Sequence, residues 1–330
     1  MSLAGKTVFV TGATGFLGGA LVHRLAKEGA QVKALARNPA RADYIRDLDS
    51  VDIVTGDVSD VASLEAHMHG VDVVFHVAAI AFGNLEQQRE VNVEGTRNVA
   101  LAAAQAGVER LVHVSTVSVY GYRNQGTVTE DRPQLPGAPP YNRTKSLAEA
   151  ALKQIAEAHD LAYSIIRPSM IYGPRSTFWT KQFFSLAKRK PTIFIGQGEG
   201  NCFPIYVDDV VDLMTVLATH PAAVGEAFNC APNPSPTWRE FMGQYQRLAG
   251  HHRWLGIPES VAIIAAPVIE FFLKLRGEPQ GLPALIDQMI GETMYSTEKA
   301  KRLLDWQPQV SLEDGVNRCV PYLQEEGLLK

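Results

Sequence analysis

The sequence predicts an α/β fold in which a doubly wound parallel sheet is joined to a smaller, interleaved and mostly helical C-terminal domain. Strand-like and helix-like segments alternate through the first half of the chain, which is typical of a parallel sheet covered on both faces. Several of the predicted strands are continuous apolar runs, as buried parallel strands tend to be. A glycine-rich turn joins the first strand to the first helix, and the pattern becomes irregular after Gly173.

The predicted elements follow one another with short connections. Gly29 and Gly107 end two of the predicted helices, because glycine is favoured just past a helix C-terminus. The expected domains are residues 1–173 with 206–231, and residues 174–205 with 232–330. The predicted strands are 6–11, 32–36, 51–55, 71–77, 111–115, 162–167 and 226–230, and the predicted helices are 16–28, 59–69, 85–106, 141–159 and one within 206–219.

The composition excludes several classes of function. The 330 residues carry a formal net charge of −4 and no strongly basic run, which argues against a nucleic-acid partner. Three widely spaced cysteines build neither a disulfide framework nor a zinc site, so we expect no metal. The N-terminus has no signal-peptide pattern, and the expected location is the cytoplasm.

The glycine-rich turn is the first candidate site. Glycines at 12, 15 and 18 permit a tight turn and the close approach of a pyrophosphate, and the following helix offers free N–H groups to it. The alternative is an ordinary glycine-rich turn, but its place between the first strand and the first helix predicts a Rossmann-type dinucleotide site. The candidate residues of this turn are Gly12, Thr14, Gly15, Phe16, Leu17 and Gly18.

The second candidate site is the pair Tyr141 and Lys145, which lie on one face of a predicted helix because they are four residues apart. A free tyrosine has a pKa of about 10 and is a poor base at neutral pH. A lysine ammonium one turn away favours the phenolate. The pair therefore predicts a general acid and base that works beside a bound cofactor.

The motifs together resemble the short-chain dehydrogenase/reductase superfamily, and in particular its extended branch. The resemblance covers residues 5 to about 231. It rests on the glycine spacing and on Tyr141-Asn142-Arg143-Thr144-Lys145, Arg167-Pro168-Ser169-Met170-Ile171-Tyr172-Gly173 and Tyr206-Val207-Asp208-Asp209-Val210.

The resemblance implies roles for further residues. It places the catalytic hydroxyl on Thr116, with Ser118 as the alternative register. Asn92 would either hold a water in a proton relay or fix a bend in its helix, and Asp57 would contact adenine or cap the next helix. His76, His113 and Arg167 are interpreted as structural. The other cofactor contacts that it implies are Val58, Ala78, Ala79, Ser115, Pro168 and Ile171.

The end of the second predicted strand favours NADP over NAD. An acidic residue there would bind the ribose hydroxyls of NAD, whereas an arginine accommodates the 2′-phosphate of NADP. The sequence has Arg37 at this place and no acidic residue before Asp43. If Arg37 only covers the adenine ring, NAD is also possible.

The substrate class is inferred from what the chain lacks. Sugar-nucleotide members of the family show Arg-Asp-Phe, whose arginine binds a diphosphate, where this chain has Asn201-Cys202-Phe203. We therefore expect an oxidoreductase that interconverts a ketone and a secondary alcohol on a lipophilic, steroid-, flavonoid- or oxoacyl-like molecule. The alternative is a nucleotide-sugar epimerase or dehydratase with tightly bound NAD; a regulator without chemistry would not need Tyr141 and Lys145. The predicted apolar pocket comprises Phe82, Val119, Met170, Phe178 and Trp179, with Ser118 as a polar contact.

Two expectations concern surfaces. The apolar segment from Val261 to Leu275 is too short to span a bilayer, which takes about 20 residues. It is interpreted as a buried helix or a lid, with contact to a membrane or a lipid-like substrate as the alternative. The alanine-rich helices 85–106 and 141–159 resemble those that pair in family dimers, so a homodimer is expected.

Overall fold

The computed structural model of the protein describes residues 2–121, 126–135, 140–275 and 282–330. Most strands are short, with two to six residues each. In chain order the strands are β1 (Thr7–Thr11), β2 (Gln31–Ala36), β3 (Val51–Thr55), β4 (Val73–His76), β5 (Arg110–Val114), β6 (Thr127–Val128), β7 (Tyr163–Pro168), β8 (Met170–Tyr172), β9 (Thr192–Ile195), β10 (Pro204–Tyr206), β11 (Ala227–Cys230), β12 (Trp254–Ile257) and β13 (Met294–Tyr295).

The helices connect these strands and form most of the C-terminal part. Single 3₁₀ turns occur at 39–41, 117–120 and 221–223. In chain order the α-helices are α1 (Phe16–Lys27), α2 (Asp43–Arg46), α3 (Val61–Met68), α4 (Leu85–Arg89), α5 (Gly95–Ala106), α6 (Pro140–His159), α7 (Phe183–Ala187), α8 (Val207–Thr219), α9 (Trp238–Leu248), α10 (Glu259–Leu275), α11 (Leu282–Ile290), α12 (Glu298–Leu304), α13 (Leu312–Arg318) and α14 (Val320–Glu325).

Seven strands form one parallel sheet in the order β11-β7-β5-β4-β1-β2-β3. The order reverses beside β1, since β2 follows on one side and β4 on the other. Ligands of doubly wound sheets bind at this kind of switch point, beyond the carboxyl ends of the strands. The predicted Rossmann-type architecture is confirmed, and the sheet therefore fixes where a dinucleotide site would lie.

The sheet is buried on both faces because its strands alternate apolar side chains between two core clusters. In β1, Val8 and Val10 join the cluster that includes α1 and α8, whereas Phe9 joins the cluster under α3, α5 and α6. The first cluster continues into the C-terminal part through residues such as Phe241 and Leu323. The two halves of the chain thus share one continuous core.

The predicted elements agree with the structure within about two residues for most strands and helices of the first half. The predicted helix 85–106 is interrupted, because a π-helical turn at Glu90–Glu94 separates α4 from α5. The sequence did not predict three two-stranded parallel pairs, β8 with β10, β9 with β12 and β6 with β13.

The apolar segment 261–275 forms most of α10, so the predicted helix is confirmed. Of the interpretations given for it, the buried helix is wrong, and the lid and the membrane or lipid contact stay predictions. Only Ala262 and Ala266 among the described side chains of 261–272 are buried, and Ile264 is 75% exposed. Within the part of the chain that the structure describes, no helix is long and apolar enough to cross a membrane.

Candidate functional site

The glycine-rich turn between β1 and α1 packs directly against the backbone that follows β4. Gly12 has φ +66°, and a Cβ there would lie 2.8 Å from the backbone nitrogen of Ala78. A Cβ on Gly18 would lie 2.1 Å from the carbonyl oxygen of Gly12. Only glycine fits at both places, and the backbone is left open to a ligand above the turn.

The N-terminus of α1 is suited to an anion. Gly15 is its N-cap and supplies no side-chain hydrogen bond, and the first turn contains no acidic residue. The N–H groups of this turn and the positive end of the helix dipole therefore face the place where a pyrophosphate would bind. Together with the close packing at Gly12 and Gly18, this arrangement fits the dinucleotide that the sequence predicts.

A buried chain of hydrogen bonds supports the turn from below. Thr11 Oγ1 accepts from two backbone N–H groups after β4, each at 3.1 Å, and lies 2.8 Å from His76 Nδ1. His76 Nε2 lies 2.9 Å from Thr96 Oγ1, which donates to the Asn92 carbonyl at 2.6 Å. A neutral ring with its proton on Nε2 satisfies every group in this chain. Burial, with a smaller effect of the nearby Lys145 charge, lowers the pKa of His76 to about 3, so the ring is neutral, as its structural interpretation requires.

Asn92 lies in the π-helical turn and is fully buried. Its Oδ1 accepts from Ile80 N at 2.8 Å, and its Nδ2 donates to Ile80 O at 2.9 Å and to Thr144 Oγ1 at 3.1 Å. Both amide protons therefore have protein acceptors. The Asn92 side chain thus joins the loop after β4 to α6, a positioning role that differs from both roles expected for it.

Tyr141 and Lys145 occupy the first two turns of α6, as predicted. Tyr141 is half-buried, whereas Lys145 is 1% exposed. Lys145 Nζ donates to the carbonyl of Val114 at 2.7 Å and lies 3.5 Å from His113 Nε2. This places the lysine at the carboxyl end of β5, beside the edge where the glycine turn lies.

Burial lowers the pKa of Lys145 to about 8. Burial also lowers the pKa of His113 well below its usual value, and the Lys145 charge acts in the same direction. The ring centroids of His76 and His113 are 5.3 Å apart. Both rings are neutral and lie beneath Lys145. The charged group at this place is therefore the Lys145 ammonium.

Thr116 and Ser118, the two alternatives for the catalytic hydroxyl, are neighbours in one turn. Thr116 caps the 3₁₀ turn Val117–Tyr120, and its Oγ1 accepts from Ser118 N at 3.2 Å. The two hydroxyl oxygens are 3.1 Å apart. Either register therefore places a hydroxyl in the same small region after β5, and buried Ser115 precedes them.

Arg37 and Asp57 come together at the ends of β2 and β3. Arg37 Nε lies 3.8 Å from Asp57 Oδ2, and the Arg37 side chain is 68% exposed. Asp57 Oδ1 accepts from the backbone and hydroxyl of Ser59 at 2.9 and 2.8 Å. The cap of α3 is Asp60 rather than Asp57, so the capping alternative for Asp57 is wrong. Val58, next to Asp57, is buried.

The residues predicted to line one apolar pocket differ in their exposure in the structure. Val119 and Met170 are buried in the core, whereas Phe82 is exposed in the loop before α4. Phe178 is partly exposed and contacts Trp179 edge to face, with ring centroids 4.7 Å apart. Of the other cofactor candidates, Ala79 is exposed, Ala78 and Ile171 are half-buried, and Pro168 is buried.

A buried ion pair beneath α6 has a partner that the sequence did not reveal. Arg167 donates from Nε and Nη2 to the two carboxylate oxygens of Glu149 at 2.9 and 2.7 Å, and from Nη1 to Tyr120 at 2.6 Å. Burial alone would raise the pKa of Glu149, but Arg167 lowers it overall. The structural interpretation of Arg167 is confirmed. Glu149 lies four residues after Lys145 and therefore on the same face of α6. This spacing was the one feature of the sequence that could have indicated a buried role for Glu149.

Comparison with known proteins agrees with this geometry. The model of the NAD-dependent epimerase/dehydratase family matches residues 8–231. The chain is 30% identical to a 2-alkyl-3-oxoalkanoate reductase from Stenotrophomonas maltophilia, over 94% of this chain and 97% of that protein. It is 32% identical to a UDP-glucose 4-epimerase from Mycolicibacterium smegmatis, over 96% and 98%.

Among solved structures, the fold is similar to that of gox2253, with a TM-score of 0.83 and 25% identity over 98% of this chain and 100% of that one. The relatives include both reductases and sugar-nucleotide epimerases, so they establish the family without fixing the substrate. The chain belongs to the NAD-dependent epimerase/dehydratase family and is an enzyme of the extended short-chain dehydrogenase/reductase type.

Proposed function

We propose that the enzyme is an NADP-dependent oxidoreductase that interconverts a ketone and a secondary alcohol on a lipophilic substrate. The observation that carries this proposal is the packing of residues 201–203. Asn201 Nδ2 donates to Thr293 O at 3.0 Å, and Cys202 and Phe203 are buried in the core. Where sugar-nucleotide members have an arginine for a diphosphate, this segment offers no cation.

The reductase relative supports the same choice. Its name describes a substrate with a keto group next to a carbon that carries both an alkyl branch and a carboxylate, so this substrate combines alkyl chains with one anionic group. The exposed aromatic ring of Phe178 and the half-buried Trp179 would suit such a substrate. Aromatic side chains bind apolar molecules largely through the area they remove from water.

The residues at the end of β5 and on α6 would perform the proton chemistry. When bound, the nicotinamide supplies or accepts a hydride. Tyr141 would donate a proton to the carbonyl oxygen in reduction and accept it back in oxidation. Lys145 would stabilise the phenolate by its charge, and the Thr116 hydroxyl would orient the carbonyl oxygen, with Ser118 beside it.

The proposed cofactor preference rests on Arg37. Its guanidinium is largely exposed, and 3.8 Å from Asp57 it forms only a loose ion pair, so it would be available to a 2′-phosphate. The Arg37→Ala variant should raise KM for NADPH by about tenfold or more and leave KM for NADH nearly unchanged. Arg41→Ala is the matched control, since Arg41 is a nearby exposed arginine on a 3₁₀ turn. A wild-type enzyme that prefers NADH would contradict the proposal.

The substrate class is tested by comparing a 2-alkyl-3-oxoalkanoate, a steroid ketone and a dihydroflavonol with UDP-glucose. We expect NADPH consumption with at least one lipophilic ketone, measured by absorbance, and no conversion of UDP-glucose. Tyr141→Phe should lower kcat by about 10²–10⁴-fold while cofactor binding is retained. Tyr322→Phe, on α14, should leave kcat unchanged.

The second candidate is a sugar-nucleotide epimerase, which the identity to the mycobacterial enzyme favours. Conversion of UDP-glucose without net change in cofactor would establish that candidate and overturn the proposal of a lipophilic substrate.

A further inference from the structure

Helix α10 exposes apolar side chains to solvent to an unusual extent. Large exposed apolar patches on proteins commonly mark a contact with another molecule or with a membrane. Between residues 261 and 272 the only ionisable side chain is Glu270. The exposed apolar residues of this helix are Val261, Ile263, Ile264, Val268, Ile269, Phe271 and Phe272.

The exposed residues cover most of the helix circumference. At about 100° per residue they span an arc of about 240°. The opposite side is narrow: Ala262 and Ala266 pack with Ile286 of α11 and with Ile195 of β9. Glu270 is half-buried and lies on this protein-facing side. The solvent-facing arc is therefore apolar and uncharged.

Such a wide arc indicates what would cover it. A partner helix would bury a single stripe of about 100° and leave the rest of the arc in water. A lipid monolayer surrounds a helix lying in its surface and can cover the whole arc at once. With 17 residues, α10 is about 26 Å long, which is shorter than the hydrocarbon core of a bilayer. The geometry favours a helix that lies on a membrane.

The neighbouring strand pair extends the surface with apolar and basic groups. Ile193 of β9 and Leu255 of β12 are opposite each other in register, and both are exposed. The exposed basic residues Arg189 and Lys190 precede β9, and exposed Arg253 precedes β12. Lys188 is also exposed, but its Nζ donates to Leu328 O at 2.7 Å. The two basic segments are adjacent, because Thr192 N donates to Arg253 O at 3.0 Å. Exposed acidic groups near this surface are Glu199 and Glu259.

We propose that α10 and the β9–β12 pair form a docking surface for an anionic lipid bilayer. The apolar arc of α10 enters the boundary between headgroups and acyl chains, with Ile193 and Leu255 beside it. Arg189, Lys190 and Arg253 contact lipid phosphates, since each cation near an anionic membrane adds to the attraction. This docking goes beyond the proposed reaction and does not depend on the substrate.

The proposal is tested by flotation of the full-length enzyme with vesicles. One set contains phosphatidylcholine and phosphatidylglycerol in equal amounts, and the other contains phosphatidylcholine alone. We expect binding to the anionic vesicles and weaker binding to the neutral ones. The double variant Ile264→Glu and Phe272→Glu should lower the bound fraction by about tenfold or more on both sets. Arg189→Glu with Lys190→Glu should lower it only on anionic vesicles, and more strongly at low salt.

The control is Val224→Glu, which places one glutamate at an exposed apolar residue after α8. It should bind vesicles like the wild type. The far-ultraviolet circular dichroism of every variant shows whether it is folded. The proposal is overturned if the wild type does not float with anionic vesicles, or if the α10 double variant floats equally well. An oligomer that dissociates in the α10 double variant, without vesicle binding, would assign the surface to a second copy of the chain.

Discussion

The region beneath the glycine turn and the surface of α10 differ in which groups they bury. Beneath the turn, Thr11, His76 and Asn92 are buried polar groups that bond to one another or to backbone. On α10, large apolar side chains such as Ile264 are exposed. Burying a polar group is costly unless it finds a partner, and exposing apolar area costs about 25 cal/mol per Å². The first region therefore depends on defined internal partners, whereas the second can gain stability from an external contact.

The largest expected effect tests the same dependence on an internal partner at another buried polar pair, beneath α6. Glu149→Gln should lower the free energy of unfolding by about 3–5 kcal/mol, because the buried Arg167 charge loses its carboxylate. Asp208→Asn breaks the exposed pair with Arg318 and should change it by less than about 1 kcal/mol. Urea denaturation measures both. Equal effects would show that burial does not decide the strength of these pairs.

The packing of the glycine turn should give a somewhat smaller effect. A Cβ at Gly18 meets backbone, so Gly18→Ala should destabilise the enzyme by about 1–3 kcal/mol and weaken cofactor binding. Gly243 lies inside α9, and a Cβ added there would have no neighbouring atom within 4 Å, so Gly243→Ala should instead stabilise the enzyme by about 0.5–1 kcal/mol. Thermal unfolding and cofactor titration distinguish them, and a tolerant Gly18→Ala variant would refute the close packing.

The buried charge of Lys145 predicts a pH dependence. Its pKa of about 8 is below the ordinary 10.5, so above pH 8 the folded enzyme loses a proton that the unfolded chain keeps. The stability should therefore rise between these two values, whereas kcat/KM should fall by about tenfold per pH unit once the ammonium is lost. Lys145→Met should abolish the rise in stability. A kcat/KM that stays constant well above pH 8 would contradict the proposed role of the charge.

The smallest effect is expected on α10. Ile264→Ala removes a side chain that contacts solvent, so the free energy of unfolding should change by no more than about 0.5 kcal/mol. The same substitution at buried Ile166 of β7 should cost about 2–5 kcal/mol. Urea denaturation in the absence of lipid measures both. A large loss at Ile264 would mean that the arc is covered within the protein or by a second copy.

The sequence predicted the central sheet well, because β1 to β5 and their helices have strong local patterns and clear glycine boundaries. The pairs β8 with β10 and β9 with β12 were missed, since strands of three or four residues depend on partners far along the chain. For α10, the sequence favoured a buried helix or a lid, and a surface in contact with a membrane or a lipid-like substrate was only the alternative. The composition of this helix is that of a buried helix, and composition alone does not show what covers an apolar face.

In the candidate site, too, local patterns were predicted and long-range contacts were not. The spacing of Tyr141 and Lys145 predicted their shared helix face, and the glycine spacing predicted the turn. The hydrogen bond from Lys145 to the Val114 carbonyl and the two hydrogen bonds between Asn92 and Ile80 depend on how separate strands meet at the sheet edge. Such contacts are set by tertiary packing and leave no local pattern.

The place of β11 has a consequence for dividing the gene into fragments. This strand pairs with β7 at the outer edge of the sheet, although it follows α8 in the chain. A fragment that stops at Gly173 would leave β7 as an open edge, and such edges recruit other chains and aggregate. The smallest fragment that gives β7 its native partner extends to Cys230. In this enzyme, the place where a fragment can end is therefore set by which strands pair in space, and not by where a segment ends along the chain.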